Sequence, residues 1–117
     1  MTMSGLEFHC FRHLFGLSVD ELAERLDVST RTLRSFESGR DPINTGVEQD
    51  MHCLNRQHAE LAQLILDSDE VVTIPRSDDD WPYPRGWYVA AIARAMNAEP
   101  NLMAEWDYGT GATDSGE

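Results

Sequence analysis

The stretch LSVDELAERLDVSTRTLRSFESGRDPI, Leu17 to Ile43, decides the fold. Ser18 and Glu21 form the pattern S-x-x-E. In this pattern the serine hydroxyl accepts from the amide three residues on, and the glutamate reaches back to the serine amide. A helix therefore starts at Val19, with Val19, Leu22, Ala23 and Leu26 on one face. Asp20 and Glu21 suit the positive end of its dipole. Asp27 and Val28 make a short turn, and Ser29 caps a further helix whose buried pair is Leu33 and Phe36. Ser38-Gly39 ends that helix, because glycine adopts the left-handed cap conformation without strain. Pro42 cannot continue a helix, so Arg40 to Ile43 is a loop.

Before this stretch, Leu6, His9, Cys10, His13 and Leu14 recur at helical spacing, and with Phe11 and Phe15 they cover about half of a first helix. Gly16 stops it. After the stretch, Met51, Leu54, Ala59 (or His58), Leu61, Ala62, Leu64 and Ile65 predict a longer helix from about Val47 to Leu66. Glu70 to Pro75 is β-branched and reads as one short strand. Ser77 to Pro84 is an acidic loop broken by prolines, and Gly86 to Asn97 is a last helix. From Gly109 the composition is that of a disordered tail. The expected organisation is a helical unit over 1–67, a strand-loop-helix element over 68–108, and a tail over 109–117.

Three short helices with a capped turn between the second and third are the frame of a helix-turn-helix. Ala23 falls where the two helices cross most closely, and Val28 plugs the turn. Thr30, Arg31, Arg34 and Ser35 then face outward, and an outward face in this position is what enters a major groove.

Residues 6 to 45 resemble the lambda-repressor-like (Cro/cI-type) helix-turn-helix family. The resemblance lies in Leu17-Ser18, Glu21-Leu22-Ala23, Leu26, Val28-Ser29, Thr32-Leu33, Phe36-Glu37, Gly39-Arg40 and Pro42-Ile43. It implies base reading by Thr30, Arg31 and Ser35, with Arg34 available for bases or phosphates. Arg31 is suited to fork onto a guanine. It implies phosphate contacts from Ser18, Ser29 and Arg40, and a buried ion pair between Arg12 and Glu37 as scaffold. Many members carry a phosphate-clamping glutamine where this chain has Val19, so that anchor is missing here.

Composition bounds the function. The chain has 117 residues, nine basic against 21 acidic, and a net charge of −12. A chain so acidic repels nucleic acid at long range, so DNA binding requires a local basic surface. Residues 1–44 hold five arginines against seven acids, a net of −2, while residues 45–117 carry four against fourteen, a net of −10. The acidity thus lies mostly outside the helix-turn-helix frame, and Arg31, Arg34 and Arg40 cluster on or just after its third helix. No apolar run approaches the ~20 residues a membrane helix needs, and the N-terminus lacks the features of a signal peptide. A cytoplasmic location is expected. Cys10 and Cys53 have no CxxC spacing and are expected to be buried, reduced thiols.

A lone strand leaves its backbone groups unpaired, and the C-terminal half offers no second convincing strand. The expectation is that residues 70–75 pair antiparallel with the same strand of a second copy across a two-fold axis. Val71, Val72, Thr73, Ile74, Trp87 and Tyr88 would form the dimer interface. The order of elements, and Trp87-Tyr88 with Ala90-Ala91, is also similar to the YdiL-like and anti-CRISPR-associated regulators. That likeness implies a homodimeric repressor. Trp81, Tyr83, Trp87 and Tyr88 lie among Asp78, Asp79 and Asp80, so they read as packing residues rather than a base-stacking platform.

His9 and His13 have ligand-capable spacing, but no second ligand pair joins them. No metal, cofactor or catalytic residue is expected, and an enzyme is not. The fold expected is mainly α: a lambda-repressor-like helix-turn-helix bundle with a short C-terminal strand and helix for dimerisation. The function expected is a sequence-specific transcriptional repressor binding a palindromic double-stranded DNA operator as a homodimer. Two alternatives stay open. One is an antitoxin whose acidic C-terminal half covers a toxin, and the other is a helix-turn-helix relic that binds protein.

Overall fold

A computed structural model describes residues 3–68, 71–75 and 82–107. The acidic segment Asp78 to Asp80, Trp81 and the tail from Gly109 lie outside these residues. The fold is mainly helical with one small sheet, in the order α1 (Gly5–Phe15), α2 (Val19–Leu26), α3 (Thr30–Ser38), α4 (Thr45–Asp67), β1 (Val72–Pro75), α5 (Arg85–Ala98) and β2 (Ala104–Asp107).

Local chemistry sets the first four helices. Ser4 and Glu7 form a capping box at α1, and Ser18 and Glu21 form the one expected at α2. Ser29 caps α3 and Asn44 caps α4, each accepting from the amide three residues on. Gly16 and Gly39 take the left-handed conformation at φ 71° and 83° and end α1 and α3. Asp27 does the same for α2 at φ 59°, in a turn of three residues that leads directly to α3.

The buried face of α1 is not the expected one. Leu6 is 70% exposed, and Cys10, His13 and Leu14 are exposed as well. Phe8 and Phe15 are buried instead, with Phe11 and Arg12 half-buried between them. The phenylalanine face removes more apolar area from water than a stripe interrupted by two histidines, so it wins the contact. Both cysteines are exposed and free, contrary to the expectation of buried thiols.

One core gathers residues from all the helices. Phe8, Phe15, Leu22, Leu33, Met51, His58 and Trp87 are its largest fully buried side chains. Trp87, only 2% exposed, packs its ring against Phe15 and edge-on against His58. It was expected at a dimer interface, and the structure places it inside its own chain's core. Tyr83 stacks on the same indole at 4.3 Å, and Tyr88 is half-buried beside Tyr83. His58 fastens α4 to α5. Its Nε2 donates to the Trp87 carbonyl at 3.0 Å, and its Nδ1 accepts from Arg94 at 3.3 Å. The backbones of Gly16 and Gly86 meet so closely that a Cβ on Gly86 would lie 2.3 Å from the Gly16 carbonyl oxygen.

The strand finds its partner within the chain. β1 pairs with β2 in parallel, Val72 opposite Ala104 and Ile74 opposite Trp106. The Val72 amide donates to the Met103 carbonyl at 3.0 Å. A parallel partner requires a long crossover, and α5 supplies it. The premise that the chain offers β1 no second strand is thereby corrected: β1 has a ladder partner without a second copy. Ile74 is buried in its own chain, while Val71 and Thr73 are exposed. Among the described residues, no helix is long and apolar enough to cross a membrane.

Candidate nucleic-acid interface

α3 is fixed at both ends and along its inner face. At its start the Ser29 hydroxyl accepts from the Thr32 amide at 3.0 Å and donates to the Thr32 hydroxyl at 2.9 Å. Leu33 and Phe36 are buried, and the Phe36 ring meets Phe8 of α1 edge-on at 5.8 Å. Glu37 anchors the last turn. Its carboxylate accepts from Arg12 Nε at 2.5 Å and Nη2 at 3.2 Å, and His9 Nδ1 lies 2.9 Å away. Arg12 also donates to the Leu17 carbonyl at 3.2 Å, so one guanidinium ties α1, the loop before α2 and α3 together. Burial alone would raise the Glu37 pKa; the hydrogen bonds from Arg12 and His9, with their charge, outweigh it and hold the carboxyl below its ordinary value. The Arg12–Glu37 pair is thus present, and His9 is a third member that the sequence reading did not find. Its signal was the i, i+3 spacing to Arg12.

With that inner face fixed, the outer face is set. Arg31 and Arg34 are exposed, and Thr30 is half-buried. Arg31, Arg34, Ser35, Ser38 and Arg40 line one hollow of about 280 Å³. Ser35 is a correction. It is only 9% exposed, and its hydroxyl donates to Asp41 Oδ2 at 2.6 Å, so it forms the floor of the hollow and does not face outward. The loop after α3 folds back onto it, which periodicity within the helix could not reveal. Ser18 is exposed, with its hydroxyl occupied by the α2 capping box.

The electrostatics of the hollow differ from those of the other described residues. Arg12 pairs with Glu37, and Arg25 donates to the Pro82 carbonyl and covers the Tyr83 ring. Arg56 reaches Cys53, Arg94 reaches Asn55 and His58, and Arg85 lies over the Trp106 ring. Among the described residues, only the guanidiniums of Arg31, Arg34 and Arg40 have no protein partner. They share one hollow, and no carboxylate forms an ion pair there.

Among the described residues no three His, Cys, Asp or Glu side chains gather as a metal site requires. His9 and His13 meet ring to ring at 4.5 Å. No protein-family model and no curated protein matches the chain.

Proposed function

We propose that the chain is a sequence-specific DNA-binding regulator in which α2, the three-residue turn and α3 act as a helix-turn-helix of the lambda-repressor-like type. The observation that carries this reading is the trio of unpartnered arginines on and just after α3, on a chain of net charge −12. Elsewhere in the described chain, arginines are consumed by internal contacts. Leaving three charged groups together and unsatisfied suits an external polyanion.

In this reading α3 enters the major groove. Arg31 and Arg34 reach base edges, Thr30 flanks them at the helix start, and Arg40 holds a phosphate, while the Ser29 hydroxyl is taken up by Thr32. A recognition helix of nine residues covers one half-site, so two copies on a palindrome belong to the proposal. Repression would follow from occupancy of the operator.

The test is selection of bound duplexes from a random-sequence pool, for the wild type and for Arg31→Ala. The wild type should enrich a defined motif. Arg31→Ala should lose roughly 1–3 kcal/mol of specific binding and relax one base position per half-site. A wild type that enriches nothing removes the reading, and an unchanged motif with Arg31→Ala removes that residue from the readers.

A further inference from the structure

We infer that Ser35 and Asp41 form a clasp that aims Arg40 at a phosphate and holds the Asp41 carboxylate out of ion-pair contact with the hollow's arginines. The inference rests on the DNA-binding reading above and names positioning residues within it. Ser35 uses both of its oxygens. Its hydroxyl donates to Asp41 Oδ2 at 2.6 Å, a short charge-assisted bond. Its carbonyl accepts from the amides of Arg40 and Asp41, at 3.1 and 3.3 Å, and from the Ser38 hydroxyl at 3.1 Å. Ser38 in turn accepts from the Arg40 amide at 3.3 Å. The reversal at Gly39, with φ 83°, makes this fold-back possible. The loop is therefore pinned to the last turn of α3 at the two residues that matter electrostatically.

Each half of the clasp has a consequence. Arg40 is exposed and its guanidinium has no protein partner, so the backbone bonds determine where its long side chain starts. Asp41 is the acid next to it in sequence, yet it forms no ion pair with any arginine among the described residues. Released from Ser35, that carboxylate would be free to pair with Arg40 and compete with a phosphate.

The experiment uses the full chain and a fluorescent duplex of about 20 mixed-sequence base pairs, titrated by anisotropy across a salt series. Phosphate contacts give a slope of about −0.9 per contact in log K against log salt. Asp41→Ala removes a negative charge from a DNA-facing loop, so charge alone predicts tighter binding. The clasp predicts the opposite sign: roughly three- to tenfold weaker binding, and a slope shallower by about 0.9. Asp41→Asn keeps the acceptor oxygen for Ser35 and retains the wild-type slope. Arg40→Ala loses the same increment of slope, and Asp41→Ala with Arg40→Ala loses no more than Arg40→Ala. Ser35→Ala repeats the Asp41→Ala result from the buried side; if it does not fold, the exposed Asp41 variants decide. Asp41→Ala binding as tightly as the wild type or tighter, or slope losses that add in the double variant, overturns the clasp. A wild type that binds no duplex at low salt overturns the DNA-binding reading itself, and the clasp with it.

Discussion

Removing one member of the Arg12–Glu37 pair should cost more than removing both. The two side chains are each 12% exposed, so neither charge is well hydrated once its partner is gone. Loss of one partner from a buried pair costs about 3–5 kcal/mol. Glu37→Met leaves Arg12 with the Leu17 carbonyl, and Arg12→Met leaves Glu37 with His9, so each single change sits near the lower end, at about 3 kcal/mol. The double change leaves no buried charge and fills the gap with two flexible apolar chains, at a cost of about 1 kcal/mol or less. Domains of this size have about 5–15 kcal/mol in total, so either single change is a large fraction. With a urea slope near 1.5 kcal/mol/M, each single variant should melt about 2 M earlier, and the double variant should recover most of that. Acid should tell the same story. Because Glu37 titrates below its ordinary value, its contribution is present above the ordinary carboxyl range and is lost as pH falls through the lowered value. A double variant whose loss equals the sum of the singles would refute the pairing, as would single losses below about 0.5 kcal/mol, the range of surface pairs.

Two further outcomes are expected. Burial holds the His58 pKa below 6.5, partly offset by the bond to the Trp87 carbonyl and reinforced by Arg94. The unfolded chain therefore takes up a proton first, and stability should be full above pH 6.5 and decline as pH falls through that value toward the folded one. Urea melts from pH 7.5 to 5 should show this decline, and His58→Gln should flatten it; equal slopes in both proteins would reject the assignment. Val72→Pro removes the amide that donates to Met103, so amide exchange at residues 104–106 should accelerate while helical circular dichroism persists. Unchanged exchange there would mean the ladder does not hold β2.

The α2–α3 unit was legible because its determinants are local. Two serine caps, a glycine stop and a three-residue turn act within a few positions of themselves, and each occupies the place its pattern required. The ends of α4 and α5 fell within about two residues of expectation for the same reason. What escaped was non-local. The face of α1 depends on what α3, α4 and α5 offer it, and periodicity alone could not rank Phe8 and Phe15 above Leu6 and Leu14. β2 is four residues with little apolar pattern, and only the α5 crossover brings it beside β1. At the candidate site, Arg31 and Arg34 came from register, and Arg40 from the resemblance and its place just after α3. Ser35 was misplaced because the loop that covers it comes after the helix. The Arg12–Glu37 pair came from a resemblance, and His9 joins it through a fold contact that spans 28 residues.

The indole of Trp87 has a bearing on how the chain is made. It closes against Phe15, at the far end of the sequence from it, and Gly86 seals the same seam against Gly16. Without α5, Phe15 and His58 lack the indole that packs on them in the whole chain. Contacts so distant in sequence form late, because a long loop must close before they repay its entropy. The arginine-bearing surface is thus carried by a bundle that stays incomplete until α5 has been translated. A nascent or truncated chain ending near residue 67 would lack its keystone and offer sticky surface to its neighbours, the common hazard of partly folded species.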